Sequence, residues 1–187
     1  MVLSGFVHTQ ELFEYKINGP KNKRINVVIV GDGYTLAQRD LFESDLSKVY
    51  DAIVSDPMLA RYADYHNYYG LYKPSTESGA DNLTGCGGVP VNTAYDARYC
   101  SNSTDRLLTV NTSKVYADLA TTIPEYDMVM VVVNANKYGG SGGAIAVSSS
   151  SSPEIIAHEI GHSFPKLKDE YESYYSITPQ VGLNVTN

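Results

Sequence analysis

Residues 25 to 30 read INVVIV, a nearly unbroken apolar run of the kind carried by a strand buried on both faces of a sheet. Gly31-Asp32-Gly33 interrupts it, and Thr35 follows as an N-cap for the next segment. From there apolar residues recur at Leu41, Phe42, Leu46, Val49, Tyr50 and Ile53. Those spacings trace one face of a helix over 36–54. Strand, tight turn and helix in that order begin an α/β layered fold. Tyr68 to Tyr72 predicts a second strand, 113–121 a short helix, and MVMVVV at 128–133 another buried strand. The short apolar run 144–147 predicts an edge strand, and YGGSGG at 138–143 a flexible turn. Pro74 to Thr104 is rich in Gly, Ser, Thr and Asn and reads as a long, ordered surface excursion. Pro153 and Glu154 suit the first turn of a last helix over 153–164, which Pro165 stops. The pattern predicts one α/β domain over 1–187. Its sheet is twisted and mostly parallel with an antiparallel edge strand, and helix 36–54 backs it.

Composition adds exclusions. The chain is 43% hydrophobic and 19% charged, ordinary values for a globular protein, and no run approaches the roughly 18 apolar residues of a membrane span. Net charge is −7 with acids and bases scattered, so no basic stripe offers a surface to nucleic acid. The opening MVLSGFVHTQ has neither a basic start nor an apolar centre, so no signal peptide is visible in it. Cys86 and Cys100 flank a Gly-rich stretch. Either they form a disulfide closing that loop, as suits an oxidising compartment, or they are two separate thiols. Sixteen tyrosines and no tryptophan are read mainly as half-buried packing, including the run Tyr62, Tyr65, Tyr68, Tyr69 and Tyr72 and the later Tyr171, Tyr174 and Tyr175. The turn at 31–33 lacks both the dinucleotide-binding pattern and the phosphate-loop lysine, so it is a turn rather than a nucleotide site.

The chemistry concentrates in His158-Glu159-Ile160-Gly161-His162, which holds two of the four histidines. Residues i and i+4 share a helical face, so two imidazoles there can hold one Zn²⁺, with Glu159 beside the first ligand. Zinc lowers the pKa of a bound water, and the glutamate takes its proton as the peptide carbonyl is attacked. Ile155, Ile156 and Ile160 give the opposite face a core to pack on. A third protein ligand is needed. Asp169 is the first choice and Glu170 the alternative, with Leu167 anchoring in the core the chain reversal after Pro165. Lys168 stands where the metzincin pattern puts its third ligand, and lysine is a poor candidate for that role. Gly140, Gly142, Gly143 and Ala144 precede the helix and would pair with an extended substrate as an edge strand, or else form an ordinary Gly-rich hairpin. Two rival readings are a zinc-binding adhesion or recognition module without turnover and a zinc hydrolase of non-peptide amides. The presence of Glu159 argues against the first.

RINVVIVGDGYT, PSTESGADN, VNTAYDARY, RLLTV, YDMVMVVVNANKYGGSGGAIAVSS and HEIGHSFPKLKDEYE occur in that order and span most of residues 20 to 175. Together they resemble the IgA peptidase family of zinc metallopeptidases, metallopeptidase family 64. HExxH alone is widely shared, whereas HEIGHSF followed by LKDEY is much narrower. The resemblance implies a zincin- or metzincin-like catalytic domain and a secreted, mostly endoproteolytic enzyme with one zinc, acting on protein or peptide, and the chain is expected to be a monomer. By position it makes His158 and His162 ligands and Glu159 the base, and it matches Asp169 to the aspartate of the family's DEY. Family members usually carry small residues where this chain has Pro165 and Lys168, and they continue well beyond this point. The resemblance therefore also implies that a lower subdomain is missing at the C-terminal side.

Overall fold

The computed structural model describes residues 10–168. Six strands form one sheet: β1 (Glu11–Lys16), β2 (Ile25–Asp32), β3 (His66–Tyr72), β4 (Met128–Val133), β5 (Gly140–Ser141) and β6 (Ala146–Ser149). Their order is β1-β3-β2-β4-β6-β5. The inner four run parallel, and β1 and β5 are antiparallel edges. Three helices accompany it: α1 (Arg39–Ser55), α2 (Thr112–Thr122) and α3 (Ile156–Ser163).

Strand alternation divides the core. Val27, Ile29, Met130, Val132 and Ala146 face α1 and α3, meeting Phe42, Leu46, Ile156 and Ile160. Val28, Val30, Val129, Val131 and Val133 face the other way, onto Val115 and Leu119 of α2. This two-sided burial is why β2 and β4 carry no polar alternation. The turn Leu36–Gln38 precedes α1, and the Thr35 N–H donates to Gln38 Oε1 at 3.0 Å, as expected of a capping residue and its partner three positions on.

Three expectations need correction. The run 144–147 is not the sheet's edge: β6 pairs with β4 on one side and with β5 on the other, so the edge falls within the expected Gly-rich turn. Glycines give no side-chain signal, and backbone pairing alone makes that segment a strand. Second, the stretch after Pro74 is more than a surface excursion, because Ala80, Tyr95, Ala97 and Tyr99 are fully buried on the α2 face of the sheet. Third, Tyr62 and Tyr65 stand 59% and 62% exposed, so the packing reading holds for Tyr68, Tyr69 and Tyr72 but not for those two. Tyr171, Tyr174 and Tyr175 lie outside the described residues. β1 was not expected; its ELFEYK mixes charges with apolar residues, and Phe13 packs edge-on against Phe42 of α1.

One carboxylate organises the polar stretch. Asp32, at the end of β2, is completely buried. Its Oδ1 accepts from the N–H groups of Gly33 (2.8 Å) and Tyr95 (3.1 Å) and from Ser75 Oγ (3.3 Å). Its Oδ2 accepts from Thr93 Oγ1 (3.0 Å) and the Ala97 N–H (3.0 Å). Burial pushes this carboxyl up, and hydrogen bonds from Tyr95, Thr93, Gly33 and Ala97 pull it the other way. Gly33 turns beside it with φ 75°, where a Cβ would collide with the Gly79 carbonyl.

Cys86 and Cys100 are joined in a disulfide with their Cα atoms 5.3 Å apart. A thiol count on unfolded, unreduced protein should therefore find no free thiol. Reduction should cost about 3 kcal/mol in a urea titration, as expected for a loop of roughly 15 residues. Two free thiols would exclude the bridge.

Candidate metal centre

α3 is short, and its position is set by one apolar face. Ile156 and Ile160 are buried against α1 and the sheet, while Ser152 and Pro153 start the segment and Pro165 follows its end. That face turns His158, Glu159 and His162 toward a cleft of about 650 Å³ between α3 and β5. His158 is exposed; Glu159 and His162 are half-buried.

The two rings lie edge to face with centroids 4.6 Å apart, and their Nε2 atoms are 3.1 Å from one another. Two nitrogens bound to one tetrahedral zinc at about 2.0–2.1 Å each would lie roughly 3.4 Å apart, so the pair fits such an ion with little movement. His162 Nδ1 lies 2.9 Å from the Leu167 carbonyl oxygen. A carbonyl can only accept, so Nδ1 carries the proton and Nε2 keeps its lone pair for a metal. One potential ligand atom from each of His158, Glu159 and His162 falls within 4.8 Å of the others.

The chain after the helix does reverse. The Leu167 N–H donates to the Gly161 carbonyl at 2.9 Å. Leu167 itself is 39% exposed, so it is the backbone at Leu167, and not the side chain expected in the core, that anchors the turn. Asp169 and Glu170 lie outside the described residues.

The opposite wall is β5 and the turn after it. A Cβ placed on Gly142 would collide with His162 Cβ and stand 2.9 Å from its Cδ2 and 3.0 Å from Glu159 Oε2. Only glycine lets the strand come this close. The outward backbone groups of Gly140 are already engaged: its N–H donates to the Arg106 carbonyl and its C=O accepts from the Leu108 N–H, both at 3.3 Å. The Gly143 carbonyl accepts from Lys166 Nζ at 3.4 Å, and the Ala144 carbonyl from the Tyr116 hydroxyl at 3.1 Å. Of the four residues expected to receive a substrate, Gly142 is the one set against the histidine and carboxylate. Sequence reasoning missed Thr104, Arg106 and Leu107, which also line the cleft. They stand some fifty positions before the histidines, and no spacing rule links the two.

Cys86, Cys100 and Asp105 also cluster, but both sulfurs are spent in the disulfide. Among the described residues no helix is long and apolar enough to cross a membrane. No curated protein matches the chain. A model of the family described as IgA Peptidase M64 matches residues 13–180, most of the chain.

Proposed function

We propose that this chain, which belongs to the IgA peptidase M64 family, is a secreted zinc endopeptidase of zincin-like design that cleaves peptide bonds within proteins. Membership makes it a metallopeptidase acting on protein. The observation that carries the finer reading is the placement of two imidazole nitrogens 3.1 Å apart with Glu159 between them in sequence, facing a cleft. His158 and His162 would hold the metal, with Asp169 as third ligand. Bound zinc supplies Lewis acidity, polarising the scissile carbonyl and making water a competent nucleophile near neutral pH.

The rest of the work falls to the chain's own groups. Glu159 takes a proton from the attacking water as the new C–O bond forms. It then delivers that proton to the amide nitrogen as the C–N bond breaks, leaving a carboxylic acid and an amine. The Leu167 carbonyl keeps His162 in one tautomer and one orientation. An extended substrate pairs along the backbone at Gly142, because the outward groups of Gly140 are already bonded to Arg106 and Leu108.

Protein purified without chelators is expected to contain about one zinc per chain. His162→Ala should lose it, and Asp169→Ala should weaken zinc binding far more than Glu170→Ala. No zinc, and no uptake on titration, would sink the reading for this chain. Equal small losses at Asp169 and Glu170 would place the third ligand elsewhere.

A further inference from the structure

We infer that the cleft selects peptides bearing a carboxylate side chain beside the scissile bond, and that Arg106 is the residue that recognises it. The inference rests on the reading of the cleft as a peptide site. Of the described residues lining the cleft, Arg106 alone is a lysine or arginine. Its carbonyl accepts the Gly140 N–H at 3.3 Å, which fixes its Cα beside β5 on the wall facing the histidines. Its sequence neighbour Asp105 is already committed, pairing with Lys137 at 2.7 Å. The guanidinium itself is exposed and makes no hydrogen bond or ion pair among the described residues.

Among the described residues, the other charged group of the lining that the metal chemistry does not use is Glu154, one helical turn before His158. It forms no ion pair with Arg106. The cleft thus presents a cation on the wall of β5 and an anion at the start of the helix. A guanidinium offers a carboxylate two parallel N–H donors, which no neutral side chain can match. The chain's net charge of −7 provides no general attraction for acidic peptides, so a preference for them has to come from a local cation.

Pairs of fluorogenic peptides that differ only in Glu against Gln, scanned through the positions flanking the scissile bond, test this. At the best position kcat/KM should favour Glu by roughly five- to ten-fold in the wild type. The ratio should fall to about one in Arg106→Ala and drop below one in Arg106→Glu, while the remote Lys23→Ala keeps it. Equilibrium binding of the same peptides gives the ratio independently of turnover. Acid-selective binding that Arg106→Ala abolishes, with no peptide cut, would support the inference and remove the peptidase reading. Peptides cut or bound with no preference for Glu, or a preference that survives Arg106→Ala, would overturn the inference and leave the peptidase reading to stand on cleavage alone. A chain that neither cuts nor binds any of the peptides would overturn both.

Discussion

Glu159→Ala is expected to lower peptide hydrolysis by roughly 100- to 10,000-fold, the usual contribution of a positioned general base, while leaving the metal in place. The expectation follows from where the residue stands. Glu159 sits on α3 next to His158, and its carboxylate approaches the wall at Gly142 rather than the solvent side of the helix. It is therefore aimed into the cleft where a water and a scissile carbonyl would meet. The two histidines already lie at a spacing suited to a shared ion, which frees the glutamate for proton transfer. Turnover of a fluorogenic peptide and metal content, measured on the same preparation, separate the possibilities. Wild-type turnover in the variant would refute the mechanism. Loss of metal together with activity would recast Glu159 as a ligand.

The largest expected effect on stability lies far from that helix. Asp32→Ala removes an acceptor used by five donors, all in a place without water access. Each buried donor left unpaired costs about 1–3 kcal/mol, though such costs do not add fully, so a loss of about 4 kcal/mol is expected. Asp32→Asn should cost roughly half as much, because one oxygen remains for Gly33, Tyr95 and Ser75 while an amide group opposes the Ala97 N–H. Urea midpoints for the two variants should fall in that order. A loss under about 1 kcal/mol for Asp32→Ala would mean that the polar stretch is held by its buried tyrosines and not by the carboxylate.

The contrast between these two sites explains what was legible in the sequence. β2 and β4 announce themselves because burial on both faces demands unbroken apolar runs, and α1 does so through its 3.6-residue period. The histidine pair is legible for the same reason: four residues make about one helical turn, so spacing alone places both rings on one face. β5 could not be read, because the two small residues Gly140 and Ser141 report little burial, and one of their backbone partners, the 106–108 segment, is distant in sequence. Tyr95 and Tyr99 could not be placed either. They sit in polar, turn-rich sequence and are drawn into the core by bonds from the loop backbone to Asp32. Arg106 reaches the cleft only because a loop returns to the sheet edge, a long-range event that no local pattern encodes.

Gly142 has a consequence for how such a cleft can change over evolutionary time. One wall of the cleft is bare main chain pressed against His162 and Glu159, and any carbon added at Gly142 strikes those side chains. On the proposed mechanism, that wall cannot be resculpted by point substitution without disturbing the groups that would do the chemistry. Diversification of substrate preference would then be channelled to the other contributors, the 104–107 loop and the residues at the start of α3. At Gly140 the loop is held by backbone bonds and elsewhere by the Asp105–Lys137 pair, so Thr104 and Arg106 can vary while the loop's path is kept. On the proposed function the centre would thus divide into a constrained half that performs the reaction and a mutable half that chooses what is cut.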